Sequence, residues 1–152
     1  LESGEIVYSK IKPNRKLKIF ALIPNFEINT KKSRESLPNE YSREDAIYNL
    51  SRSALLQTAF TLGDMDKIKV VFSDRLHEPY RLPLIKGAEE LKSLLENLGY
   101  AVAISGAGPT LLAVGLEGGL AYNLPKEIGG VKWKVKELKC DDVGAKVIDY
   151  NF

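Results

Sequence analysis

The chain has 152 residues, 44% of them hydrophobic and 28% charged, which is enough for a hydrophobic core and ordinary for a water-facing fold. Its net charge of +2 is too small to argue for a nucleic-acid partner, and the basic residues are spread along the chain rather than clustered. No apolar run approaches the roughly 20 residues a membrane-spanning helix needs, so no membrane partner is expected. The single cysteine, Cys140, excludes an internal disulfide and a cysteine-based zinc site, which fits a cytoplasmic setting. The opening LESGEIVYSK lacks the apolar core and cleavage site of a signal peptide, and no Met starts it. The chain therefore reads as processed, or as cut from something longer.

KLKIFALIPN (16–25) reads as a strand with Ile19, Ala21 and Ile23 on one face and Phe20 and Leu22 on the other. A strand apolar on both faces belongs at the centre of a sheet. Asn29-Thr30 resembles a helix N-cap ahead of KKSRESL, which Pro38-Asn39 ends. Ser42, with Asp45 three residues on, starts a long helix that Gly63 closes. Its apolar stripe is Ala46, Ile47, Leu50, Ala54, Leu55, Thr58 and Leu62. Asp64 caps MDKIKVVF as a further helix. Pro79 and Pro83 then forbid a continuous helix through SDRLHEPYRLP.

KGAEELKSLLENLG (86–99) is the next helix, with Ala88, Leu91, Leu94, Leu95 and Leu98 on its apolar stripe. YAVAIS and TLLAVG read as two strands joined by a hairpin turn. A short helix around NLPKEI, the alternating strand KWKVKEL (132–138) and an edge strand at GAKVI complete the reading. The order of strand, helices, strand, strand, helix, strand is the split βαβ pattern of ferredoxin-like α+β domains. The expectation is a single domain over residues 1–152, built on a four-stranded antiparallel sheet with extra helices in the first crossover.

The hairpin turn Ser105-Gly106-Ala107-Gly108-Pro109-Thr110 carries more glycine and hydroxyl than a plain turn requires. Gly106 and Gly108 reach backbone angles closed to other residues, and successive amides in such a turn can form an anion-binding concavity. Neither a phosphate-binding loop with a terminal Gly-Lys-Ser/Thr nor a dinucleotide fingerprint fits. A bland hairpin turn and an anion site both remain compatible with these residue types. Arg34 and Arg81 offer planar forks that match a carboxylate or a phosphate. Their alternative reading is two solvated surface arginines. His77 is the sole histidine and lies near Asp74 and Glu78. Without a second imidazole or a thiol it makes a poor transition-metal site, so it reads as a loop histidine with a structural hydrogen bond. Cys140 reads as inert.

SGAGPTLLAV resembles the third motif of the GHMP small-molecule kinases. IPNFEINTKKSRESLP, SRSALLQTAF and DRLHEPYRLPLIKG resemble the homoserine kinase branch of that family, in the same order and at suitable spacing. The resemblance runs from about Gly4 to the end. It implies a C-terminal domain whose N-terminal, ATP-binding partner domain is absent from this chain. It implies transfer of the ATP γ-phosphoryl group to the hydroxyl of L-homoserine in threonine biosynthesis, with ATP and Mg2+ as cofactors of the longer enzyme and none bound to this chain alone. It places Arg34, Arg81 and Gly106 at the substrate, and Ser105, Gly106, Ala107 and Gly108 near the phosphates. No catalytic base and no metal ligand is assigned to this chain. The implied partners are L-homoserine, the absent N-terminal domain and a homodimer. Two alternatives are a non-catalytic ferredoxin-like domain that binds an amino acid, and another GHMP kinase.

Overall fold

A computed structural model of the chain describes residues 4, 9–120, 124–141 and 143. Strand β1 (Lys18–Pro24) forms the middle of a sheet completed by β2 (Ala101–Ile104), β3 (Leu111–Gly115), β4 (Glu127–Ile128) and β5 (Val131–Leu138). The strand order is β2-β3-β1-β5-β4, and every neighbouring pair is antiparallel. Without β4, that order is the ferredoxin-like one, in which the first and third strands pair at the centre and the last long strand lies outside the first. The double-sided apolar pattern of β1 places it there, because a central strand needs a non-polar partner above and below.

Each face of β1 has its own core. Phe20 and Leu22 pack with Val102, Ile104 and Leu111 against the stripe Ala88, Leu91 and Leu95 of helix α5 (Ala88–Asn97). On the opposite face Leu17, Ala101 and Val114 meet Ala59 of α2 (Arg43–Leu62) and Ile68 and Val71 of α3 (Met65–Val71). At the β5 side the described residues cover the sheet on one face only. There Trp133 and Val135 pack inward while Lys132, Lys134 and Lys136 stand exposed.

The helix ends follow their capping chemistry. Asn29 caps α1 (Thr30–Glu35) by accepting from the Lys31 amide at 2.8 Å. Ser42 caps α2 by accepting from the Asp45 amide at 3.0 Å, and its hydroxyl donates back to the Asp45 carboxylate at 2.7 Å. Asp64 caps α3 through the Lys67 amide at 3.1 Å.

Three sequence expectations change. The sheet has a fifth strand, because Glu127–Ile128 pairs with Val131 and Lys132 across the turn Gly129-Gly130. Those two residues are therefore strand, not part of a helix around NLPKEI. Two adjacent glycines, both at positive φ, favour a tight hairpin there. Second, the proline-rich segment does hold a short helix, α4 (Glu78–Arg81), followed by a 3-10 turn over Leu82–Leu84. Pro79 lies in its first turn, where a missing N–H costs nothing. Third, most of the stripe read along α2 does not face the core. Ile47, Leu50, Ala54, Thr58 and Leu62 are exposed, while Leu55 alone of the stripe's larger residues packs inward, with Ala59 and Phe60, which the stripe did not include. The expected edge strand at GAKVI lies outside the described residues.

The β4–β5 turn meets the start of α5 glycine against glycine. A Cβ added to Gly129 would stand 2.4 Å from the Gly87 Cα, and one added to Gly87 would stand 2.8 Å from the Ile128 carbonyl oxygen. Both residues also have positive φ, at 59° and 74°. Gly129→Ala is therefore expected to destabilise the fold by about 1–3 kcal/mol, from overpacking plus backbone strain. Urea denaturation of the wild type and variant measures this; equal midpoints and slopes would refute it.

Candidate functional site

The turn between β2 and β3 closes on itself before it touches anything else. The Ser105 amide donates to the Thr110 carbonyl at 2.9 Å, and the Gly108 amide donates to the Ser105 carbonyl at 3.1 Å. Gly106 and Gly108 take φ of 61° and 80°, which side chains other than hydrogen rarely tolerate. The bond from Gly108 to Pro109 is cis. Gly106 projects into solvent. Among the described residues, no acceptor is paired with the amides of Gly106 and Ala107.

The carbonyls of the same two residues are taken. The Ser33 hydroxyl, on α1, donates to the Ala107 carbonyl at 2.7 Å, and Ser33 is almost fully buried. Arg81 closes α4 and lies between the two other parts. Its Nε donates to the Ser33 carbonyl at 3.2 Å and a terminal nitrogen donates to the Gly106 carbonyl at 3.1 Å. One guanidinium thus ties α1, α4 and the glycine turn together. Arg34 follows Ser33 directly, so its backbone belongs to the same junction, and its side chain is exposed. Among the described residues, neither Arg34 nor Arg81 forms an ion pair with a carboxylate. Uncompensated guanidinium groups beside free amides make this end of the sheet suited to an anion.

Arg81 spends two of its N–H donors on main-chain carbonyls, so only the remainder can face a ligand. That division of labour was not visible in the sequence. Nothing marked Ser33 either, since it is one of two hydroxyl residues in a charged hexapeptide.

Behind α4 a second network fixes where that helix starts. One Asp74 carboxylate oxygen accepts from the amides of His77 and Glu78, at 2.6 and 2.9 Å. The other accepts from the Asn49 side chain of α2 and lies 3.6 Å from His77 Nε2. Asn49 in turn accepts from the Arg75 amide at 3.0 Å. Burial by itself would raise the Asp74 carboxyl, but the hydrogen bonds from His77, Glu78 and Asn49 outweigh it and hold it below its usual value. The expected structural hydrogen bond of His77 comes from its backbone amide; among the described residues its ring makes none, since Nε2 stands 3.6 Å from Asp74 and the buried Nδ1 has no partner. The buried Glu78 pairs with Lys92 of α5, which anchors the same helix to the core.

Next to this network the Tyr48 ring sits under the guanidinium groups of Arg52 and Arg75, 3.1 and 3.8 Å from its centroid. The Tyr48 hydroxyl pairs with Ser73 at 2.7 Å. That bond, with the two nearby guanidinium charges, lowers the phenol from its usual value against the opposing effect of burial. Cys140 is exposed and unpaired with any other thiol. No three histidine, cysteine or acidic side chains come together to hold a metal ion among the described residues. No helix among them is long and apolar enough to cross a membrane.

Comparison with known proteins supplies the family. The family described as GHMP kinases C terminal matches residues 52–129, about half of the chain, including α4 and the whole glycine turn. The chain belongs to the GHMP kinase C-terminal family. The homoserine kinase of Clostridium kluyveri is 38% identical over 154 residues, covering 97% of this chain and 51% of that protein. The homoserine kinase of Clostridium acetobutylicum is 36% identical over 94% of this chain and 50% of its own length. A crystal structure of homoserine kinase from Cytophaga hutchinsonii superposes with a TM-score of 0.78 at 23% identity, covering 92% of this chain and 47% of that one. That superposition supports the α+β architecture of the GHMP kinase C-terminal domain. The chain spans about half the length of the curated relatives it matches.

Two outcomes test this geometry. Ser33→Ala leaves the Ala107 carbonyl without its donor in a part-buried place, and is expected to lower stability by about 1–2 kcal/mol in chemical denaturation. An unchanged midpoint would mean that the latch contributes nothing. Asp74 has a folded-state pKa below its unfolded value, so its contribution is complete above the unfolded pKa and is lost as pH falls through the folded one. Asp74→Asn is therefore expected to flatten the acid limb of stability against pH, below about pH 5. Parallel acid limbs in the two proteins would rule that out.

Proposed function

We propose that this chain is the substrate-gripping half of a homoserine kinase, which transfers the γ-phosphoryl group of ATP to the hydroxyl of L-homoserine. The observation that carries this reading is the junction of Arg81, α1 and the glycine turn, in a chain 38% identical to a homoserine kinase over nearly its whole length. Phosphoryl transfer depends mainly on positioning and on stabilising charge. In this reading the free donors of Arg81 and the exposed guanidinium of Arg34 hold the homoserine carboxylate, which fixes where the hydroxyl points. The unpaired amides of Gly106 and Ala107 line the approach of the phosphate. Ser33 keeps the turn and α1 at constant separation, so carboxylate and phosphate stay in register.

The longer relatives supply a second half, which this reading makes the nucleotide-binding part. In this reading Mg2+ is held on the ATP phosphates by the second half. When bound to the complete enzyme, the ion would neutralise charge on the phosphates. This chain's part is to bind and orient the acceptor.

A second reading, amino-acid binding without turnover, is favoured by one observation: the junction by itself offers guanidinium donors for a carboxylate. Calorimetry with L-homoserine on the 152-residue chain separates the two. Tight binding by the chain alone supports a sensor, and none supports a half-site.

The kinase reading is tested in a protein of the relatives' full length. Arg34→Ala or Arg81→Ala is expected to raise KM for homoserine roughly 30-fold or more, the equivalent of about 2 kcal/mol, with little change in KM for ATP. Equal effects on both substrates, or none, would remove the carboxylate role from these residues. No turnover of homoserine by the intact wild type would remove the reaction itself.

A further inference from the structure

Glu78 is the one buried charged residue among those described, at 6% exposure. A carboxylate taken out of water is destabilising unless a cation replaces its hydration. Among the described residues Lys92 is the sole cation paired with it, and a second carboxylate, Glu96, lies 3.9 Å from the same ammonium. Lys92 is itself mostly buried, with 18% of its side chain exposed.

The two partners sit on elements of very different rigidity. Lys92 follows Leu91 on α5, and Leu91 and Leu95 are both fully buried against the sheet, so its backbone is a fixed reference. Glu78 opens α4, a single helical turn of four residues with no stability of its own. That turn buries no apolar side chain. Pro79 and Tyr80 are exposed and Arg81 is half-buried, so Glu78 is its one inward anchor. Asp74 holds the amides of His77 and Glu78, which fixes where the turn begins and leaves rotation about its axis open. The Glu78–Lys92 pair supplies the second point. It acts on the same helix face as Arg81, because residues three apart share a face.

We propose that Lys92 is a positioning residue: by holding Glu78 inward it sets the rotation of α4 and so the direction of the Arg81 guanidinium, and through Arg81 the grip on the acceptor substrate. The last step rests on the reading of Arg81 as a carboxylate grip. Among the described residues Lys92 makes no bond to α1 or to the glycine turn, so its effect on them passes through α4. The bonds it protects have little slack. Arg81 reaches the carbonyls of Ser33 and Gly106 at 3.2 and 3.1 Å, at the long end of the ordinary range, and a small rotation of α4 breaks one or both.

The test uses a protein of the relatives' full length labelled with 15N-arginine. Lys92→Met keeps the apolar stem and removes the charge. It is expected to raise KM for homoserine roughly tenfold with KM for ATP unchanged, as a misdirected binding group does. It is also expected to speed solvent exchange of the Arg81 Nε–H, which the Ser33 carbonyl accepts. Lys92→Arg keeps the charge and is expected to stay close to wild type in both. Glu78→Gln, a second variant, is expected to follow Lys92→Met. Added to Arg81→Ala, Lys92→Met is expected to change KM for homoserine by less than about twofold, since the group it directs is gone. A residue that only stabilises the fold would act alike in both backgrounds. Unchanged Arg81 exchange in Lys92→Met and Glu78→Gln overturns the proposal. So does an equal rise in both KM values, or a roughly tenfold rise on top of Arg81→Ala, which would put Lys92 on the substrate itself. If Arg81→Ala alone leaves KM for homoserine unchanged, the carboxylate reading falls, and the Arg81 exchange rate still decides whether Lys92 directs that side chain.

Discussion

The candidate site depends on one side chain serving three pieces of backbone. Arg81 donates to the Ser33 carbonyl and to the Gly106 carbonyl, and Ser33 donates to the carbonyl of Ala107. Without that closed circuit α1 would be a six-residue helix on a loop, far too short to hold itself in water. With it, three segments spread over almost eighty residues share one position. Arginine suits the task because its fork stays charged and planar, so its donors hold two carbonyls at fixed separation while others remain available.

The circuit is in turn held from behind. Asp74 gathers the amides that open α4, Asn49 binds Asp74 to the long helix, and Glu78 with Lys92 ties α4 to α5. Arg81 therefore stands at the end of a helix whose start is fixed by three other elements. A part-buried carboxylate that accepts several hydrogen bonds is a stiff support, because each donor would be costly to leave unpaired. The arrangement is consistent with a site whose work is orientation. It spends its polar chemistry on holding main chain still and leaves cations and amides facing outward.

The two sides of α2 divide the molecule's remaining chemistry. The inward side covers the second face of the sheet through Ala59 and Leu55 and reaches the α4 network through Asn49. The outward side carries apolar residues with nothing over them among the described residues. A helix whose apolar residues are scattered round its circumference has no single stripe to identify its buried face, so its orientation is decided by shape. Ala59 is small enough to let α2 approach Leu17 and Val114 closely, and the larger Ile47 and Leu50 are left outside.

What the sequence determined by itself was local. The two-sided apolar alternation of β1 put it at the centre of the sheet, Asn29, Ser42 and Asp64 marked helix starts, and the glycine turn was legible as a bend with unusual capacity. These follow from short-range periodicity and backbone preference, which a few neighbouring residues settle. The tertiary structure decided the rest: which side of α2 is buried, that Glu127–Ile128 adds a fifth strand, and that Ser33 and Arg81 meet the turn. Each of those is a contact between residues far apart in the chain, and such contacts depend on how whole elements pack, which no local pattern encodes.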